Sequence, residues 1–339
     1  MTSLVVVDAD VLGRERTGDE TYVLNLLREL PGPAAEAGLT LAAVTRRPEL
    51  VPDGVEALQL DVGSQERRMG WSLPRLLRRV GAALVHTQYA VPLRCPCPAV
   101  VTIHDLSFER EPALMRRKDR AVFQRVVPRA ARAAARILTV SERSKRDLVE
   151  LYGVLPDRVV VTPNGVDRAF HPGEDERGRY ALAVGAIQPR KNQLAALAAA
   201  REAGLELVVV GPTRDSAVAN ELRRGGARLE GYVSIERLAD LYRRAACLVQ
   251  ASRYEGFGLP VLEAMASGTP VVAVPDEALR ELADDVAVFV DEEHLAEGIR
   301  LALQHRDQLA WAGLERARRY SWSATAEATV RVYAEALGR

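Results

Sequence analysis

A chain of 339 residues, 48% of them hydrophobic, can bury two cores of ordinary domain size. Lysine plus arginine and aspartate plus glutamate each number 46, so a net charge of zero gives no overall attraction to nucleic acid. No apolar run reaches the roughly 18 residues of a membrane span, and three cysteines are too few for a disulfide framework, so a reducing, cytoplasmic setting is expected.

Met1-Thr2-Ser3 leads into an apolar strand, Leu4–Val7, with no charged region or cleavage site of a leader. Residues 8–19 read as its exit loop. Asp8-Ala9-Asp10 is a D-x-D string of the kind that holds a metal, but no further ligand cluster accompanies it. A polar strand end is expected there, and no metal. No G-x-G-x-x-G follows this strand, which argues against a dinucleotide oxidoreductase. An amphipathic helix is expected over Tyr22–Leu30, capped by Thr17 or Asp19.

Strand-like runs follow at Leu39–Val44, Val55–Leu60, Ala83–His86, Ala99–Ile103, Ile137–Val140 and Val159–Val161, with helical stretches between most of them. That alternation belongs to an open parallel sheet with helices on both faces. Cys95-Pro96-Cys97 is too closely spaced for the usual zinc pairs, and plain thiols are expected. His104 follows the Ala99–Ile103 strand and is as readily a satisfied loop residue as a site residue; His86, which ends a neighbouring strand, is the weaker candidate. Residues 110–146 hold twelve Lys and Arg against three Asp and Glu. Arg125, Arg129, Arg132 and Arg136 recur there at helical spacing, giving one basic face. A solvated face is the plain reading; attraction to an anionic membrane surface or a phosphate-bearing acceptor is the alternative. Trp71 to Arg79 adds a second basic, partly apolar segment.

Ser141 is placed to cap a helix over Glu142–Tyr152, and residues 166–179, with Pro172, Gly173 and Gly178, read as a linker. The pattern then restarts. Strand Ala181–Val184 is followed by Gly185, the string Gln188-Pro189-Arg190-Lys191-Asn192 and an alanine-rich helix to Ala203. Fixed cations at a strand-to-helix turn can neutralise a departing diphosphate without a metal, and Arg190 and Lys191 are the candidates. Leu207–Val210 is a further buried strand, and Gly231-Tyr232-Val233-Ser234 precedes a helix over Ile235–Ala246.

The most informative stretch runs from Cys247 to Val274. An apolar strand, Cys247–Gln250, leads to the loop Glu255-Gly256-Phe257-Gly258, a short helix opened by Pro260 and closed by Gly268, and a second strand, Val271–Val274. Such a βαβ unit presents backbone N–H groups and a helix N-terminus at the carboxyl edge of its sheet, where anions bind. Glycines 256 and 258 let the backbone approach a ligand. Glu255 and Glu263 bracket the turn, and a carboxylate accepts two hydroxyl donors at once, as from the vicinal diol of a ribose or hexose. Phosphate donors between two such acids fit a sugar, a diphosphate and a nucleoside in one ligand.

The string from Glu255 through Leu259, Pro260 and Glu263 to Ser267-Gly268-Thr269-Pro270-Val271-Val272 resembles the E-x7-E signature of the retaining group 1 (family 4) glycosyltransferases. Pro163-Asn164-Gly165-Val166-Asp167 is also similar to that family, and the resemblance covers nearly the whole chain. It implies the GT-B fold, α/β, with two Rossmann-like doubly wound parallel-sheet domains facing a cleft. The acceptor-side domain would be 1–165, with a C-terminal helix, 323–339, packing back on it; the nucleotide-sugar domain would be 180–322. By the same resemblance Glu255 and the amides of Gly256, Phe257, Gly258 and Leu259 would hold the donor sugar and diphosphate. Glu263 would take the ribose, and Gly185, Tyr232 and Val233 would line the donor site. Gly18 would lie by the diphosphate, and His104 would position the sugar. Many relatives place the arginine several residues before the lysine, where this chain has Ile187; adjacent Arg190 and Lys191 match a mannosyltransferase-rich subset.

The expected reaction is transfer of a hexose, with a preference for mannose, from a nucleoside-diphosphate sugar to a hydroxyl of a glycan, lipid-linked or small-molecule acceptor. Retention, an α-linkage and no cofactor beyond the donor are expected. Nucleotide-sugar epimerisation on the same fold and a non-catalytic nucleotide-sugar-binding subunit are the competing readings.

Overall fold

The computed structural model describes residues 2–14, 17–173 and 178–339. The side chain of Thr17, one of the two expected caps, and residues 174–177 of the expected linker lie outside the described residues. The chain divides into two compact units, one of residues 1–165 and 322–339, the other of residues 166–321.

The first unit holds β1 (Ser3–Asp8), β2 (Leu39–Thr45), β3 (Glu56–Gln59), β4 (Leu84–Gln88), β5 (Ala99–Thr102), β6 (Arg136–Thr139) and β7 (Val159–Val161). They form one parallel sheet in the order β3-β2-β1-β4-β5-β6-β7. The chain winds outward from β1, then jumps to β4 and winds the other way, so the direction reverses between β1 and β4. Runs such as Val5-Val6-Val7 and Ala99-Val100-Val101 are buried on both faces, as strands covered by helices on each side must be. The helix Trp322–Ala336 belongs to this unit. It is fastened by Tyr333 Oη to His86 Nδ1 at 2.7 Å and by Thr325 Oγ1 donating to the Pro163 carbonyl at 2.6 Å.

Two local expectations change. The first helix spans Thr17–Glu29, five residues earlier than the apolar spacing indicates, because Asp19 and Glu20 suit the positive end of the helix dipole; Asp19 lies within the first turn. The basic helix is Arg117–Ala133, so Arg136 falls beyond it, in β6, where its Nε lies 3.2 Å from Glu335 Oε2. Asp8 and Asp10 serve arginines. Arg68, fully buried in a π-helical turn over Arg68–Ser72, donates to both Asp8 oxygens at 2.7 Å, and Arg46 Nε donates to Asp10 at 3.0 Å.

The second unit holds β8 (Tyr180–Val184), β9 (Glu206–Val210), β10 (Arg228–Gly231), β11 (Cys247–Gln250), β12 (Val271–Ala273) and β13 (Val288–Phe289), all parallel in the order β10-β9-β8-β11-β12-β13. Here the reversal falls between β8 and β11. Ligands of such sheets bind outside the carboxyl ends of the strands at that point. The stretch expected as linker is partly packed: Phe170 is buried, its ring 5.6 Å from that of Tyr242. Gly211, just past β9, must be glycine, since a Cβ there would lie 2.2 Å from the Gly185 carbonyl oxygen.

Candidate active site

Pro189 opens a 3-10 turn, Pro189–Lys191, directly after the β8 exit. Asn192 closes it at φ 50°, a left-handed conformation that asparagine tolerates better than most side chains, and the helix Gln193–Glu202 begins there. The turn aims its two cations across the sheet edge at the loop leaving β11. Lys191 Nζ lies 2.5 Å from Glu255 Oε1, and Arg190 Nη1 lies 3.6 Å from Glu255 Oε2 while donating to the Tyr254 carbonyl at 2.6 Å. These side chains are 12% exposed for Lys191, 19% for Arg190 and 7% for Glu255. Gln250, the last residue of β11, adds a hydrogen bond to Glu255 Oε1 at 2.6 Å.

Burial alone would raise the Glu255 pKa. The charges of Lys191 and Arg190, with hydrogen bonds from Lys191 and Ser252, outweigh it and hold the carboxyl at about 2. Glu255 is therefore an anion at any working pH and a poor base. The backbone beneath it is fixed by Asp276, just past β12, whose Oδ2 accepts from the Glu255 N–H at 3.2 Å. Its Oδ1 caps the next helix through Ala278 N and Leu279 N.

Gly258 closes the loop at φ 105° as the N-cap of the helix Leu259–Ala266, and Pro260 is the second residue of that helix. A Cβ at 258 would lie 2.5 Å from Leu279 Cδ2, in a fully buried leucine. Gly256, Phe257 and Gly258 are all buried, whereas Leu259 and Pro260 keep partial exposure. The loop's accessible edge is thus its helix-starting end. Phe257 stands edge-on to Tyr320 at 5.9 Å.

Glu263 projects from the same helix. It is 8% exposed, and the Tyr242 hydroxyl donates to its Oε2 at 2.8 Å. Burial raises its pKa, Tyr242 opposes and Asp167 adds to the rise, so the carboxyl is pushed up to about 8 and holds a proton at neutral pH. The two glutamates of one motif therefore sit in opposite charge states. Tyr232, half-exposed, and Val233 follow the edge strand β10, ahead of the helix Ile235–Arg244 capped by Ser234.

In the first unit, His104 leaves the β5 end with Nε2 3.0 Å from Gln88 Oε1, edge-on to Tyr22 at 4.7 Å. Burial lowers its pKa, against the pull of Asp19 and Asp105, so the ring is neutral near pH 7 and Nε2 is the donor to the amide oxygen. Asp19 is near enough to act on this ring, and Gly18, beside it in the first turn of the helix Thr17–Glu29, is exposed. His86, by contrast, is a core residue. It is 2% exposed, both nitrogens are hydrogen-bonded at 2.7 Å, and burial drops its pKa to about 3.

Gln250, Tyr242 and Asp276 escape the sequence reading. Gln250 is the one signal available, a polar residue ending an otherwise apolar strand. Tyr242 sits on a helix at core spacing, and Asp276 reads as an ordinary turn residue.

Residues 16–170 match the Glycosyltransferase Family 4 model, and residues 167–320 match that of the Glycosyl transferases group 1. A D-inositol 3-phosphate glycosyltransferase of Frankia alni is 30% identical over 401 aligned positions, covering 95% of this chain and 96% of that protein. The chain belongs to the group 1, family 4 glycosyltransferases. This glycosyltransferase is also 29% identical to the O-antigen chain mannosyltransferase B of Escherichia coli, over 88% of its own length and 84% of that protein. The sucrose-phosphate synthase structure from Thermosynechococcus elongatus superposes with a TM-score of 0.79 at 20% identity, covering 98% of each chain, so the fold is GT-B.

Proposed function

We propose that this glycosyltransferase moves a hexose from a nucleoside-diphosphate sugar to an acceptor hydroxyl with retention, forming an α-linkage without a metal. The observation that carries this reading is the Lys191–Glu255–Arg190 cluster at the point where the second sheet reverses direction. A diphosphate offers Lys191 and Arg190 a doubly charged partner in place of Glu255. Glu255, released from them, takes the hydroxyls of the sugar. The same two cations then stabilise the charge that grows on the departing diphosphate, which is the work otherwise given to a metal. Glu263, on the helix that starts from the loop, holds the ribose. Its pKa near 8 lets it accept a hydroxyl proton or donate its own.

Glu255, occupied by the sugar hydroxyls, is not free to act as base towards an acceptor, which favours retention over a single inverting displacement. His104, neutral at pH 7, is a positioning group for the sugar. Similarity to the E. coli mannosyltransferase, together with the Pro189-Arg190-Lys191-Asn192 string, supports a mannosyl donor. Similarity to the D-inositol 3-phosphate glycosyltransferase supports a phosphate-bearing acceptor, whether a small molecule, a glycan or a lipid-linked sugar. Arg117, Lys118, Arg125, Arg129 and Arg132 are exposed on one helix with the half-exposed Val122, a surface suited to the anionic headgroups around a lipid-linked acceptor.

The test is turnover of nucleoside-diphosphate sugars, GDP-mannose first, on a panel of phosphorylated polyols and lipid-linked sugars with EDTA present. The product anomer is read from its one-bond C1–H1 coupling. An α-product in EDTA supports the reading. A β-product, or a need for added metal, contradicts it; epimerisation of the donor alone, or binding without turnover, would establish one of the competing readings.

A further inference from the structure

The connection from β4 to β5 carries Cys95-Pro96-Cys97, which the proposed transfer leaves unused. Both thiols are free and partly exposed, whereas Cys247 is buried in β11. Only Pro96 separates the two thiols in the chain, and Arg78, bonded to the carbonyl of Arg94 directly before them, brings positive charge to Cys95. The loop is held in place around them. Arg78 Nη2 donates to the Arg94 carbonyl at 3.2 Å, Leu93 N donates to the Met69 carbonyl at 2.9 Å, and both cysteines pack on the cluster that contains Met69, Leu73 and Leu77. Arg94, directly before the pair, sits at φ 51°, a conformation that an arginine adopts only when its surroundings fix it.

We propose that Cys95 and Cys97 form a redox-modification site, a dithiol that a small-molecule disulfide oxidises reversibly to an intramolecular Cys95–Cys97 bond. Arg78, held at the Arg94 carbonyl next to Cys95, marks Cys95 as the nucleophile and leaves Cys97 as the resolving thiol. The hydrogen bond from Cys97 outweighs burial and, with the Arg78 charge, brings the Cys95 thiol down to about 7, while the same contact pushes Cys97 up. Cys95 is thus more readily ionised near neutral pH than an unperturbed cysteine. Burial pushes Cys247 up to about 12 and leaves it inert.

Cys95 thiolate attacks one sulfur of the disulfide RSSR, forming a mixed disulfide and releasing RS⁻. Cys97 gives its proton to that thiolate and attacks the Cys95 sulfur, expelling a second RS⁻, which is protonated from water. Two protein thiols are oxidised and one RSSR is reduced to two RSH. A bond across one intervening residue closes a small, strained ring, so it is readily reduced again.

The test is incubation of the intact protein with oxidised glutathione at pH 7, followed by mass spectrometry of the tryptic peptide 95–110, which holds both cysteines. The proposal predicts loss of two mass units in that peptide, no change at Cys247, and full recovery on adding reduced glutathione. Cys97→Ser should stop at a glutathione adduct on Cys95, and Cys95→Ser should react at least roughly tenfold more slowly. Circular dichroism identifies any variant that fails to fold, and the wild-type result stands without them. A wild-type peptide that keeps one or two stable adducts, that does not react, or that reacts no faster than Cys247 overturns the proposal.

Discussion

Lys191 Nζ lies 2.5 Å from Glu255 Oε1, joining two loops that are 64 residues apart in sequence but leave adjacent strands, β8 and β11. The contact exists because the chain reverses its winding between those strands, so a turn from the start of the second unit faces one from its middle. The Lys191 charge helps keep Glu255 ionised where the carboxylate is poorly solvated.

Removing both partners should therefore cost less than the two single removals added together. Lys191→Met leaves Glu255 with the longer Arg190 contact and the hydrogen bond from Gln250, and Glu255→Gln takes the carboxylate charge away from the partly buried Lys191. Each single variant should lose about 3 kcal/mol, and the double variant less than the sum. Calorimetric melting of the four proteins measures this. Additive losses would mean that the two charges do not interact.

Stability should fall with rising pH because of Glu263. Its pKa is raised from the ordinary carboxyl value to about 8 in the folded chain, so the folded state binds the proton more tightly than the unfolded one. Below the unfolded value both states are protonated and the contribution is fully present. It is lost progressively as pH rises through the folded value and levels off above it. Melting temperatures from pH 5 to 9, compared with Glu263→Gln, should show this slope in the parent and a flatter one in the variant.

Gly258→Ala should destabilise by about 1–3 kcal/mol, since it forces a side chain into a left-handed backbone and against Leu279. Gly226→Ala is the control: φ is 86° there, but nothing lies within 4 Å of the added carbon, so only the backbone cost of about 1–2 kcal/mol applies. Denaturant unfolding of both variants separates the two effects.

The sequence exposes most of this architecture because the central strands are buried on both faces and announce themselves as Val-, Leu- and Ala-rich runs. The helix Glu142–Tyr152, with Ser141 accepting from Ser144 N, is readable to the residue from its cap and its closing Gly153. Strand Arg228–Gly231 is not, because an edge strand written Arg-Leu-Glu-Gly has no apolar run. The π-turn at Arg68 is invisible too, since its anchor, Asp8, is 60 residues away. At the candidate site the loop residues are local and legible. The ion pair across the β8 and β11 loops and the Tyr242–Glu263 contact depend on strand order and helix packing, which no single stretch encodes.

The exposed arginines should matter for surfaces and not for folding. Charge reversal at Arg125, Arg129 and Arg132 should leave the melting temperature within about 1–2 °C. It should abolish salt-sensitive co-sedimentation with phosphatidylglycerol vesicles. Binding that persists unchanged in the variant, or in high salt, would count against the membrane reading of this face.

The most direct test of the central claim is isothermal titration of GDP-mannose and related donors into the protein in EDTA, set beside Lys191→Ala. If Lys191, Arg190 and Glu255 grip the diphosphate and the sugar, the parent binds a donor and the variant binds it about 30- to 150-fold more weakly, equivalent to 2–3 kcal/mol. Equal affinity in the two proteins, or donor binding only when a divalent metal is restored, would contradict it.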